Sequence, residues 1–217
     1  MLHTTKLVLV RHGASRSTEI EIVGGHSGCR GLSVEGVLQS ERLSRRWLRN
    51  PPFDRDLAFG GAYCSSMRRA QDTAAIVLST LELSLTGSSC DLCEIHPGVA
   101  DGMSWTDVAE KFGQIDVFAD PDKSIAPGAE SWNQMRDRVM RFLSLLAEKH
   151  RDETVLVFAH KGVIDATVAT WLNGSPRVLG AGTGNTGITT WLVRTDGRGA
   201  IDPALISYND CGHLEQA

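Results

Sequence analysis

The apolar positions of this chain follow two periods. Leu7-Val8-Leu9-Val10 is an unbroken aliphatic run, the pattern of a strand buried on both faces of a parallel sheet. Ala62-Tyr63-Cys64 and Thr154-Val155-Leu156-Val157-Phe158 read as two further strands, residues 188–193 as a fourth and residues 205–208 as a marginal fifth. Residues 1–5 read as a polar lead-in. Between these runs the spacing becomes helical. Ser33 caps a helix over 34 to about 49, with Val34, Val37, Leu38 and Trp47 as its apolar positions and Pro51-Pro52 as its stop. Ser66 is the expected N-cap of a helix striped by Ala70, Ala74, Val77, Leu78 and Leu81, which puts Arg69 in its first turn. Ser131-x-x-Gln134 is a capping box ahead of the stripe Met135, Val139, Phe142, Leu143 and Leu146. Residues 162–172 form the last helix, closed by Asn173-Gly174 with Pro176 beyond.

Strands alternating with helices predict an α/β fold, a three-layer α/β/α sandwich with right-handed crossovers. No repeat or change of composition divides the chain, so residues 1–217 are expected to form a single domain. Residues 14–30, rich in Gly, Ser and charge, read as a loop over a site. Residues 82–130 predict little regular structure beyond a short helix around 106–112, and read as a cap above the pocket.

The ends of the three clearest strands carry the chemistry. The first runs into Arg11-His12-Gly13, the second into Ser65-Ser66-Met67-Arg68-Arg69-Ala70 and the third into Ala159-His160-Lys161-Gly162. Ligands of open α/β sheets sit beyond the carboxyl ends of the strands. Helix starts there offer free N–H groups and positive partial charge to an anion. Two arginines, two histidines and two helix starts converging on one point describe a pocket for a phosphoryl group.

These three segments resemble the signatures of the histidine phosphatase superfamily, the phosphoglycerate-mutase-like fold. Weaker matches follow in family order: Gly31-Leu32-Ser33-Val34-Glu35-Gly36, Leu92-Cys93-Glu94, Asp101-Gly102-Met103-Ser104-Trp105, Pro127-Gly128-Ala129-Glu130-Ser131 and Asn185-Thr186-Gly187. The resemblance implies a mainly parallel sheet and a phosphohistidine mechanism. It makes His12 the nucleophile and His160 a cationic or hydrogen-bonding partner of the transferring group. Arg11 and Arg69 would hold phosphoryl oxygens through their guanidinium forks. The motif spacing selects Arg69 and leaves Arg68 on a solvated face. Glu94 is the candidate general acid, with Asp101 and Glu130 as alternatives; a raised pKa under a cap would suit that role. The chain departs from the family at Ala14 and Thr18, which leaves the phosphate contacts of the first loop open, and at Lys161. Lys161 either adds charge to the pocket rim or points to water.

Composition narrows the partners. A formal net charge of −4 gives no footprint for nucleic acid or an anionic membrane, and no apolar run approaches the ~20 residues of a membrane span. The N-terminus lacks a signal-peptide pattern, and five scattered cysteines point to reduced thiols in a cytoplasm. The expected partner is a small phosphorylated metabolite, and a homo-oligomer is left open. Cys90-x-x-Cys93 with His96 has a zinc-like spacing, but no second Cys/His pair matches it and Glu94 inside it has another use. No metal or cofactor is expected, and activity should survive chelation.

The leading reading is a metal-independent phosphatase. Its rivals are a cofactor-dependent phosphoglycerate mutase and a non-catalytic phospho-ligand binder. Residues 94–130 hold eight acids against Lys111 and Lys123. If those acids overhang the pocket they repel a doubly anionic ligand, which favours the phosphatase; if they face solvent they do not.

Overall fold

In the computed structural model, which describes residues 2–53, 56–173, 182–196 and 201–215, the three aliphatic runs are neighbours in one six-stranded sheet. The strands are β1 (His3–Arg11), β2 (Phe59–Ser65), β3 (Gly87–Ser89), β4 (Thr154–Ala159), β5 (Ile188–Thr195) and β6 (Ile201–Asp210), in the order β3-β2-β4-β1-β5-β6. The first four in that order are parallel, and β5 and β6 run antiparallel to their neighbours. The sheet is therefore mainly parallel, with β2, β4 and β1 side by side and their carboxyl ends at one edge.

The side-chain alternation of the strands divides the core. Leu7 and Leu9 of β1, with Val155, Val157 and Ala159 of β4, face helices α5 (Trp132–Lys149) and α6 (Lys161–Trp171). Val8, Val10, Leu156 and Phe158 point the other way, to α2 (Val34–Arg49) and α3 (Arg68–Thr80). Because both faces are covered, the strands lack polar alternation and read as continuous aliphatic runs. Two shorter helices, α1 (Arg16–Glu19) and α4 (Trp105–Phe112), lie in the loops at the carboxyl edge. The Ser131–Gln134 capping box forms as expected, and α5 buries Met135, Val139, Leu143 and Leu146.

Several expectations are corrected. On α2 the buried face is Gly36, Ser40, Leu43, Ser44 and Trp47, whereas Val34 is 77% exposed. Small residues win because this helix crosses the backbone after His12 at very close range. A Cβ on Gly36 would sit 2.0 Å from the Ala14 carbonyl oxygen, and one on Gly13 would sit 2.4 Å from that of Gly36. The two serine hydroxyls are satisfied within the helix, bonding the carbonyls of Gly36 and Ser40. The N-cap of α3 is Met67, not Ser66, and it is fully buried. The Ser65 hydroxyl accepts the Met67 N–H instead. β1 starts at His3 because β5 pairs with it from there, and β6 is a ten-residue edge strand rather than a marginal four. Pro203 within β6 and its half-buried side chains weaken the sequence pattern, as edge strands allow. The last helix ends at Trp171; Asn173 takes a left-handed φ of 49°, while Gly174 and Pro176 lie outside the described residues.

Candidate active site

The ends of β1 and β2 deliver their side chains to one cavity, and that of β4 places His160, fully buried, directly behind His12. Arg11 closes β1 and His12 follows it; Arg69 is the second residue of α3; His160 is the N-cap of α6. The imidazoles of His12 and His160 stand edge to face with centroids 5.1 Å apart. Arg11, His12, Arg69 and Glu94 line one cavity together with Thr18 and Lys161.

The tautomer of His12 follows from its partners. Nδ1 lies 2.7 Å from the Gly13 carbonyl oxygen and can only donate to it, so the proton sits on Nδ1. Nε2 then carries the lone pair, and it accepts a hydrogen bond from Nε of Arg69 at 3.0 Å. Burial, and then the positive charges of Arg69 and Arg11, hold the imidazole pKa well below its ordinary value of 6.5. A neutral ring with its in-plane lone pair directed at the Arg69 guanidinium is the form that can attack phosphorus.

The second histidine is neutral for similar reasons. Burial, Arg69, His12 and Arg11 push its pKa well below 6.5. Its Nε2 lies 2.8 Å from the Ser65 hydroxyl, and its Nδ1 is buried with no protein partner. Nε of Arg11 is likewise buried without a partner, while its Nη1 donates to the Thr183 carbonyl. Arg69 is also anchored by its Nη1, 2.7 Å from the Gly24 carbonyl, which ties α3 to the 14–30 loop. Arg68 points away, 73% exposed beside Asp72.

The three candidate acids separate by geometry. Asp101 accepts the N–H groups of Ser27 and Gly28, and Glu130 is held by Arg138 at 2.6 and 2.9 Å. Neither lines the cavity. Glu94 does, with Oε2 accepting the Gly162 N–H at the start of α6 at 3.0 Å. A Cβ on residue 162 would stand 2.1 Å from Oε1 of Glu94, so only glycine leaves the carboxylate this position.

Lys161 faces the cavity rather than water alone, pairing with Asp165 one turn along α6. The acids of residues 94–130 are largely turned elsewhere. Besides Asp101 and Glu130, Asp107 lies in the first turn of α4, Asp120 pairs with Lys123 and Asp122 accepts from Asn133. What this segment presents to the cavity, apart from Glu94, is Ile95, Pro97, Trp105, Ile115, Val117 and Ile125. Of the two orientations open from the sequence, the overhang is not the one that forms, and the segment turns an apolar wall to the cavity.

Sequence reasoning assigned no role to the residues that lock the first loop. Asn185 Nδ2 donates to the His12 carbonyl, and the Thr73 hydroxyl accepts the Gly13 N–H while donating to the Arg69 carbonyl. Asn185 opens the Asn185-Thr186-Gly187 segment and Thr73 lies one helical turn beyond Arg69, so their only sequence signal was that proximity.

A pH dependence of stability follows. His213 joins the two site histidines as a buried neutral ring: burial, with Arg46 and Arg42 outweighing Asp210, lowers its pKa from 6.5 to about 4. As pH falls below 6.5 the unfolded chain takes up protons that these three rings refuse, so folding stability should decline between pH 6.5 and about 4. Thermal melts across that range should show Tm dropping with pH, and His213→Gln should flatten the slope. A Tm independent of pH there would contradict the burial of these rings.

An α/β sheet whose carboxyl edge joins two neutral imidazoles, two guanidinium groups and a carboxylate defines a class of protein that handles phosphoryl groups by histidine chemistry. Residues 7–204 match the model of the histidine phosphatase superfamily (branch 1), and the chain belongs to that family. It is 32% identical over 165 residues to a metal-independent phosphoserine phosphatase of Arabidopsis thaliana, covering 75% of this chain. The match spans 66% of that protein, just under two thirds of its length. A 2,3-bisphosphoglycerate-dependent phosphoglycerate mutase of Azorhizobium caulinodans is 33% identical over 175 residues, covering 75% of this chain and 79% of the mutase. Among solved structures, a mycobacterial glucosyl-3-phosphoglycerate phosphatase in complex with VO3 superposes with a TM-score of 0.76 at 22% identity, covering 94% of this chain and 98% of that one.

Proposed function

We propose that this chain is a phosphatase that hydrolyses a small phosphomonoester through a phosphohistidine on Nε2 of His12, without a metal in the chemistry. The observation that carries the reading is the buried, neutral His12, with Nε2 free of its proton and facing Arg69. In the first step Nε2 attacks phosphorus, the P–O bond to the alcohol breaks, and Glu94 delivers the proton to the departing oxygen. In the second, water attacks the phosphohistidine, the Glu94 carboxylate takes the proton of that water, and inorganic phosphate leaves. Arg11 and Arg69 neutralise the equatorial oxygens, and Nδ1 of His160 offers one further polar contact. Residues 82–130 serve as the cap, and the scattered cysteines favour work in a reducing cytoplasm.

The mutase alternative needs a second anion to be held beside the phosphohistidine. Among the described residues, the wall contributed by residues 94–125 has no cation, so nothing there would retain a bisphosphorylated ligand. The same wall favours a substrate with an apolar or neutral tail. Burying two or three CH2 equivalents against it stabilises binding by about 2 kcal/mol. An aryl or alkyl phosphate should therefore exceed 3-phosphoglycerate in kcat/KM by about tenfold or more. The test is a panel of phosphomonoesters with free phosphate and product followed together. Stoichiometric phosphate release supports the proposal; isomerised phosphoglycerate without phosphate release would establish the mutase.

A further inference from the structure

Four soft ligands outside the phosphoryl site meet at one point. His26 comes from the 14–30 loop, and Cys90, Cys93 and His96 from the segment that carries Glu94. Their ligand atoms all lie within 4.8 Å of one another. Cys90 Sγ is 3.0 Å from Cys93 Sγ, 3.1 Å from His96 Nε2 and 3.2 Å from His26 Nε2, and Cys93 Sγ is 3.7 Å from His26 Nε2. Tetrahedral zinc, with bonds of about 2.3 Å to sulfur and 2.0 Å to nitrogen, holds its ligand atoms roughly 3.3–3.8 Å apart.

We propose that His26, Cys90, Cys93 and His96 form a structural zinc site. The spacing argument against zinc rested on the lack of a second Cys/His pair close in sequence; the fold supplies the fourth ligand from 64 residues upstream of Cys90. An independent observation supports the assignment. Nδ1 of His96 lies 3.3 Å from the Glu130 carboxylate, which Arg138 fixes in place. The carboxylate stands on the Nδ1 side of the ring while Nε2 faces the Cys90 sulfur, the carboxylate–histidine–metal order that supports metal ligands. Nη1 of Arg138 also donates to the carbonyls of Cys90, Asp91 and Cys93, closing the turn that presents both sulfurs. Weak thiol hydrogen bonds alone would not hold an exposed His26 ring in the set.

The ion would be a clip, not a reagent. None of Arg11, His12, Arg69, Glu94 and His160 is a ligand. The clip joins the loop whose Gly24 carbonyl anchors Arg69 to the segment that carries Glu94. Binding converts two thiols to thiolates and releases two protons, so the four-ligand centre is neutral.

The site is independent of the phosphatase reading, and binding measurements keep the two separate. Full-length protein made in zinc-supplemented medium should hold about one zinc per chain. Cobalt added to the stripped, reduced protein should give tetrahedral d–d bands and thiolate charge-transfer absorption at one equivalent. Zinc should raise Tm by roughly 5 °C or more. His26→Ala alters an exposed loop and spares the core. It should weaken zinc binding by more than the ~10–100-fold that loss of an outer partner costs. Metal-free protein with unchanged Tm and only aqueous cobalt spectra would overturn the site. So would a Cys90–Cys93 disulfide under reducing purification, or unaltered zinc affinity in His26→Ala.

Discussion

Substituting His12→Ala should lower kcat/KM by about 10⁴-fold or more, with the fold and Tm close to wild type. The size of the effect follows from three losses at once. The nucleophile disappears, the in-line geometry disappears with it, and Arg69 loses the acceptor that orients its Nε. The backbone should hold, because the loop after β1 is fixed by Asn185, Thr73 and the contact between Gly13 and Gly36, none of which needs the imidazole. Rapid quench of wild type with a ³²P-labelled ester should trap acid-labile, base-stable label on the protein, and His12→Ala should trap none. Near wild-type turnover in the variant would remove the covalent step from the scheme.

The second large effect is expected at Glu94 and depends on the leaving group. Glu94→Gln keeps an oxygen that can accept the Gly162 N–H, so the side chain stays in place but has no proton to give. An alkyl phosphate, whose alkoxide leaves badly, should lose about 10²–10⁴-fold in kcat. For p-nitrophenyl phosphate, whose phenolate departs unaided, the first step should fall by less than about tenfold. Measuring the burst phase on both esters checks this. Equal losses would make Glu94 a positioning residue, and no loss would move the proton donor elsewhere.

How much of this was legible depended on whether the physics was local. β1 and β4 could be read because strands covered on both faces must be apolar throughout, and α5 because its capping box and apolar stripe agree. The positions of Arg11, His12 and His160 followed from those strands. The buried face of α2 was misread because close backbone packing selected glycine and serine, which hydrophobic periodicity does not count. The orientation of the acids of residues 94–130 stayed open because they find partners in contacts that spacing does not reveal. Ile115, Val117 and Ile125 line the cavity from irregular chain, where no period marks them. His26 could not be matched with Cys90 and Cys93 at all, since only the fold brings that loop to them.

The hydrogen bond from Arg69 to Nε2 of His12 occupies the very electron pair that attacks phosphorus in the proposed mechanism. Before a substrate arrives, the nucleophile is therefore engaged by the group that will later steady its target. A phosphoryl anion competes for that guanidinium far better than a neutral ring does, because it brings a full opposite charge and can engage both arms of the fork. Arrival of the anion thus frees the imidazole in the same event that brings phosphorus within its reach. An uncharged electrophile cannot draw Arg69 away, so it meets a reagent that is still sheathed.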